Sequence, residues 1–451
     1  MSVHPADSEI SGALWSTAEM RALFSDAAEL QAMLDVEAAL ARAEAKVGLV
    51  PQHIAEAITK AARVENLRLE RIAEGVCETG VPVPALVGEL GRAAGDEAAR
   101  YIHLGATTQD ILDTALVLRM RSGLEYLRRD LVVLARALAR RASEFRDTPM
   151  AGRTHLQQAV PVTFGFKCAV WASPFPAHVE RLEQAARRAL VVQFGGAAGT
   201  LASLGEHGFA VAEAFAHELG LGVPDLPWHA ARDRVAEIVA LLGLICGSLS
   251  KFALDVALLM QTEVGEIFEP HAPGRGGSST MPQKRNPVAA EYIIAAARGV
   301  HALAPLALTA MVQDHERAAG PWQSEALAVP QCFVLCAGAI AHARSIAEGM
   351  TIDAARMRRN LELGGGRIMA EAVASGLAPA IGRAAAHQAL KRVSDRALAE
   401  GKTLAQALGD DAEVRSHLGP EQIDRLTDPA AYLGSAGAFV DRVVARIAGL
   451  G

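Results

Sequence analysis

The run from Ile238 to Met260, IVALLGLICGSLSKFALDVALLM, constrains this chain more than any other stretch. Its apolar residues recur at helical spacing but cover more than one face, so a helix built from them must be buried on several sides. A membrane span needs roughly 18–20 uninterrupted apolar residues. Here Ser248, Ser250, Lys251 and Asp255 break the run, and a soluble helix is expected. Comparable helical runs are expected near 111–146, 157–191, 231–264, 287–313 and 329–349. The economical way to cover several such helices in water is a bundle extended by copies of itself, which predicts a homo-oligomer.

Alternating strand patterns are scarce and aromatics are only 4% of the chain, so the fold class expected is all-α. Ser25 is placed to cap a helix that carries Leu30, Met33, Leu34 and Leu40 on one side and Gln31, Asp35 and Arg42 on the other. Glu37 falls inside that apolar stripe and needs a partner there. Punctuation divides the chain into three helical domains: an N-terminal region, 1–110; a central set of long helices, 111–350; and a C-terminal region, 351–451.

The formal charge is −7, from 44 Lys and Arg against 51 Asp and Glu, which argues against nucleic acid or an anionic membrane as partner. Five scattered cysteines and an N-terminus reading MSVHPADSEISG, with no basic segment leading into an apolar one, point to a reduced, cytoplasmic protein. Cys332 and Cys336, four apart on an expected helix, read as small core side chains.

Against this background GRGGSSTMPQKRNP, residues 274–287, stands out. Three glycines permit movement of the kind a lid needs, three hydroxyls follow, and Arg275, Lys284 and Arg285 supply local positive charge. Asn286 followed by Pro287 predicts a helix start, whose unsatisfied N–H groups would add to a carboxylate or phosphate site. Cations and helix N–H groups nearby favour the alkoxide form of a hydroxyl and make it usable in proton transfer. Two further segments carry similar chemistry. HLGATTQDILDT offers His103, Thr107, Thr108, Gln109 and Asp110, and GRTHLQQAVPVTFG offers Arg153, Thr154, His155 and Gln157. Taken singly, the glycine-rich loop reads equally well as a solvated loop with ordinary caps, and a lone His103 or His155 reads more readily as a helix cap or a core residue. LELGGGRIMAEAVASG lacks the strand that a dinucleotide fingerprint requires, and DHER lacks a second His at helical spacing, so neither cofactor nor metal is expected.

GSSTMPQKRNP resembles the signature loop of the fumarase/aspartase superfamily, and TTQD and GRTHLQ are similar to its other two signature regions, in the same order along the chain. The resemblance implies a homotetramer whose long helices form a shared core of twenty, with each active site assembled from three subunits. It also implies that Ser278 transfers the proton and that Lys284 and Asn286 bind substrate carboxylate. Within the superfamily, the stretches from Met20, Phe194 (FGGAAGTLASLG) and Gln313 (QDHERAAGPWQSE) resemble the bacterial cycloisomerases that lactonize 3-carboxy-cis,cis-muconate. The implied reaction joins one carboxylate of a tricarboxylate to its own diene and adds a proton to a neighbouring carbon. Several cations suit that substrate and the charge that develops on it: Arg275, Lys284, Arg285 and Arg317, with His103 and His155 as donors. The remaining expected contacts are Thr107, Thr108, Gln109, Arg153, Thr154, Gln157 and Ser279.

His155 stands where the lactonizing pattern leads one to expect Trp; a carboxylate donor, a second acid/base and a shaping role for the pocket all remain open. Adenylosuccinate lyase shares a His at that slot, but the Arg-Tyr pair it uses for phosphate is missing from GALWSTAEMRALFS. A catalytically silent binding homologue is disfavoured by the retention of Ser278, Lys284 and Asn286.

Overall fold

The computed structural model describes residues 4–270, 277, 281 and 283–450. Arg275, Ser278 and Ser279, and with them most of the expected lid, lie outside the described residues. The chain is all-α, as expected. The elements that matter here are α1 (Asp26–Val47), α2 (Thr108–Glu144), β1 (Pro149–Thr154), β2 (Gln157–Thr163), α3 (Asp233–Leu259), β3 (Ile267–Phe268), α4 (Val288–Thr309), α5 (Pro321–Gly349) and β4 (Thr351–Ile352). Among the described residues the strands form only two small antiparallel sheets, β1–β2 and β3–β4.

The chain divides into two compact units, each drawn from three segments. The first comprises the chain up to Leu131, His178–Leu249 and Tyr292–Ala341. Its α1 begins as expected, with Ser25 Oγ accepting the Ala28 N–H at 3.3 Å, and ends where Gly48 takes a left-handed φ of 85°. Met33, Leu34 and Leu40 are buried, and so are Val36, Ala38, Ala39, Ala41 and Ala43. The alanines let the helix Gly208–Leu219 pack closely along α1, so more of α1 is covered than its large side chains require. Cys332 and Cys336 are buried core thiols, and Cys246 joins them from α3, a neighbour that chain spacing does not reveal.

A buried charge network ties this unit together. The fully buried guanidinium of Arg232 bonds Asp113 at 2.6 and 2.9 Å and Glu325 at 2.9 Å and through a second short contact, and it lies over the Trp228 ring at 4.7 Å. Trp322 Nε1 donates to the same Asp113 at 3.2 Å. Removing one member of such a network strands charge in the interior.

The second unit comprises Val132–Ala177, Ser250–Glu291 and the chain from His342 onward. Its C-terminal helices close over a core that includes Leu361, Met369, Val373, Leu377, Leu390 and Leu404. The helix expected over 157–191 is corrected here: residues 157–163 form β2, and helices occupy Phe164–Ala172 and Phe175–Ala189. Pro161 and the branched Val160, Val162 and Thr163 favour extended backbone, and Thr163 Oγ1 then caps the following helix by accepting the Phe166 N–H at 2.9 Å.

By length and mean hydropathy, three helices among the described residues are long and apolar enough to cross a membrane: α3, α4 and α5. The apolar windows of α3 and α5 are 61% and 67% buried within the chain, whereas that of α4 is only 28% buried.

Candidate active site

In the first unit, HLGATTQD forms the turn that feeds α2. Thr107 precedes the helix, and Asp110 Oδ2 accepts the Thr107 N–H at 3.0 Å, which is half of a capping box. The buried Asp110 carboxylate also accepts the N–H groups of Gly195 and Gly196, at 3.0 and 2.9 Å, and bonds His229 Nε2 at 2.7 Å. It thereby pins the turn to the FGGAAG loop. Gly196 has φ 70°, and a Cβ there would stand 2.9 Å from the Gly105 carbonyl oxygen, so a side chain would push the two loops apart.

Gln109 is buried against this hub. Its Nε2 donates to Asp113 Oδ2 at 3.1 Å and to the His229 carbonyl at 3.0 Å, while Oε1 accepts Arg317 Nε at 3.0 Å. Both amide hydrogens are thus committed inside the protein, and Gln109 acts on the exterior by aiming Arg317. Arg317 also donates to Thr107 Oγ1 at 3.4 Å and is otherwise exposed. Thr108 is half-buried at the first position of α2.

His103 begins the same turn with φ 65°, a left-handed conformation that costs a non-glycine residue about 1 kcal/mol or more. Its Nδ1 lies 2.6 Å from Glu37 Oε1, so the acid in the apolar stripe of α1 has found its partner. Burial works against the charged imidazole, but the bond to Glu37 and the charges of Glu37 and Asp110 together hold its pKa above the ordinary value of 6.5.

In the second unit, β1 and β2 meet at a tight turn in which Thr154 pairs with Gln157, and His155 and Leu156 have φ of 49° and 65°. Two positive φ values in a two-residue loop are the mark of a type I′ turn, which favours Asn-Gly. His and Leu are strained there, and both are exposed, Leu156 at 76%. Strain stored at an exposed imidazole directs attention to function. Thr154 and Gln157 flank the tip and are exposed. Arg153 is anchored lower down by a two-point pair with Glu266, at 3.0 and 2.7 Å. Glu266 is fully buried and also accepts Asn360 Nδ2 at 2.8 Å.

Arg285, at the end of the signature loop, pairs with Gly277 in an isolated antiparallel bridge. Its guanidinium donates to the Glu269 carbonyl at 2.9 Å and covers the Phe268 ring at 4.6 Å. Lys284 is exposed and Asn286 half-buried. The expected helix start is corrected in two respects. Helix α4 opens at Val288, and its N-terminal groups are not free: Glu269 accepts the N–H groups of Ala289 and Ala290, at 3.0 and 2.8 Å. The chain supplies its own anion to the positive end of the helix.

Four acids hold these segments in place: Glu37, Asp110, Glu266 and Glu269, of which the sequence alone points to neither Glu266 nor Glu269. Glu37 was visible as a charge out of pattern. Asp110 stands out as part of the TTQD segment, but its role as a hub is hidden because its partners beyond Thr107 lie 85 to 119 residues away.

The lyase family matches residues 15–301, and the family described as adenylosuccinate lyase C-terminus matches residues 366–443. The chain is 49% identical to 3-carboxy-cis,cis-muconate cycloisomerase of Pseudomonas aeruginosa, over all of this chain and 99% of that one. The solved 3-carboxy-cis,cis-muconate lactonizing enzyme of Pseudomonas putida superposes with a TM-score of 0.94 at 46% identity, covering 98% of this chain and 100% of that chain. A fumarate lyase of Mesorhizobium sp. BNC1 superposes with a TM-score of 0.90, also at 46% identity, covering 96% and 98%. The paired imidazole at His103, the strained His155 turn and the Lys284–Asn286 segment therefore stand on a fold shared along its whole length with these enzymes, and the chain belongs to the lyase family of the fumarase/aspartase superfamily.

Proposed function

We propose that the protein is a cycloisomerase that converts 3-carboxy-cis,cis-muconate to 4-carboxymuconolactone, in the protocatechuate branch of the β-ketoadipate pathway. The observation that carries this reading is the pair of cations fixed on one turn of the first unit. Arg317 is aimed by Gln109 and Thr107, and His103 is held toward its charged form by Glu37. Fixed positive charge suits a polycarboxylate, and the same relatives carry the name of the lactonizing enzyme.

In the reaction a carboxylate oxygen bonds to a diene carbon, and the electron pair displaced moves onto the carbon and carboxylate beyond it. Ser278 then delivers a proton to that carbon, and by microscopic reversibility removes it in the reverse direction. Arg317, His103, Lys284 and Arg275 hold the substrate and the developing charge, with Thr107, Thr108, Thr154, Gln157, Ser279 and Asn286 as hydroxyl and amide contacts. Arg153, Gln109 and Arg285 are assigned mainly to orienting these groups, since each is already bonded within the protein.

The assembly belongs to the same proposal: a cytoplasmic homotetramer with active sites shared between subunits and domains at 1–110, 111–350 and 351–451. The largely uncovered apolar window of α4 supports it, because another copy would bury it. A second reading, an addition–elimination lyase, is favoured by His155 and by the adenylosuccinate lyase C-terminal match. Purified protein mixed with 3-carboxy-cis,cis-muconate should rapidly remove the ultraviolet absorbance of the diene and leave adenylosuccinate unchanged. Turnover of adenylosuccinate alone would replace the cycloisomerase with the lyase.

A further inference from the structure

The apolar stripe of α1 contains a second acid that no substrate contact explains. Glu44 lies seven residues beyond Glu37, two helical turns along the same face, and is fully buried. Both of its carboxyl oxygens and Glu37 Oε2 are buried without a hydrogen-bond partner. A carboxylate pair this deep in a packed core cannot keep two negative charges. Burial first, and the neighbouring Glu37 second, push the Glu44 pKa up to about 9. Glu44 is therefore neutral at physiological pH, and the single charge of the pair belongs beside His103.

The surrounding charges leave that pairing undisturbed. Glu37 and Asp110 are the charged groups that bear on His103, and Glu37 is the one that bears on Glu44. On the helices packed against α1, Glu218 is paired with Arg42 and Lys46, Glu89 with Arg68 and Arg92, and His53 with Glu97. Glu56, Lys60, Glu213 and His217 face solvent.

We propose that Glu37 is a positioning residue of the active site: it fixes the proton of His103 on Nδ1 and holds the ring as an imidazolium whose Nε2 is free for a substrate carboxylate, while neutral Glu44 keeps the buried charge single. The idea rests on the cycloisomerase reading insofar as it names the carboxylate. The geometry supports it in three ways: the 2.6 Å bond, the left-handed backbone that turns His103 onto Glu37, and the partial exposure of the ring against the complete burial of its partner. Substrate binding then has a pH limit on the alkaline side, where the imidazolium is lost.

The test is Glu37→Gln in the full chain, which keeps an acceptor for Nδ1–H and removes the charge. With histidine-selective isotope labelling, and His103 assigned by loss of its signal in His103→Gln, the titration midpoint of His103 should fall by about one pH unit or more. With 3-carboxy-cis,cis-muconate at pH 7.5, KM should rise on the order of tenfold with kcat changed much less, and KM should recover toward wild type near pH 6 as the ring regains its proton. An unmoved midpoint, or a loss of activity equal at every pH, overturns the proposal. Should Glu37→Gln not fold, His103→Gln at the partly exposed end of the pair serves instead. It should raise KM without recovery at low pH, and an unchanged KM would overturn the proposal. A wild-type protein that leaves 3-carboxy-cis,cis-muconate untouched refutes the cycloisomerase reading, and the His103 midpoint still decides whether Glu37 sets its charge.

Discussion

Glu44→Gln offers a sharp quantitative check on how charge is distributed in α1. Glu44 has an ordinary pKa of 4.5, which burial and Glu37 raise to about 9 in the fold. Its folded-state pKa is raised, so between these limits the native state binds one more proton than the unfolded chain, and stability falls as pH rises. The slope is about 1.4 kcal/mol per pH unit, so keeping Glu44 neutral costs about 4 kcal/mol by pH 7.5 and almost nothing near pH 4.5. Gln is neutral in both states and lacks this slope. Urea unfolding of both proteins, at one protein concentration and at several pH values from about 5 to 8, should show the variant gaining on wild type by up to about 4 kcal/mol across that range. The absolute difference at pH 5 also contains the burial of an amide, so the pH-dependent part is the quantity that matters. Parallel stability curves would mean that Glu44 ionises freely in the fold and that the neutral-acid account of the Glu37 pair is wrong.

Other perturbations reach the remaining parts of the site. Ser278→Ala should abolish turnover while sedimentation still reports the wild-type assembly; near wild-type activity would remove Ser278 from the proton transfer. Arg232→Met leaves Asp113 and Glu325 buried without their cation and should lower unfolding stability by about 3–5 kcal/mol in urea, whereas an unchanged midpoint would mean that the network is energetically idle. Gln109→Leu removes the acceptor that aims Arg317 and should raise KM for the tricarboxylate severalfold in steady-state kinetics. An unchanged KM would separate Arg317 from substrate binding.

The long helices were legible because periodicity and caps act locally: Ser25 caps α1 as its side chain and position demand. Glu37 was legible as a problem, an acid among leucines, but its solution required His103 from 66 residues away. The β1–β2 hairpin was hidden for two physical reasons. QQAVPVT has no clear period, and the turn uses His155 and Leu156 where Asn-Gly would have announced it. The helix end behind Asn286 misled because local rules describe an unsatisfied N-terminus, and they do not foresee a buried acid such as Glu269 that folds back to satisfy it. Motifs therefore single out the candidate residues, while the partners of the acids that orient them emerge only from the fold.

Cycloisomerisation closes a ring and loses no atom of the substrate. Mass spectrometry of the product formed from 3-carboxy-cis,cis-muconate in deuterated water tests it directly. The expected product is a single lactone isomeric with the substrate acid, except that the one hydrogen newly bound to carbon is deuterium. A product that has lost carbon dioxide or split into two fragments, or a lactone with no deuterium on carbon, would contradict it.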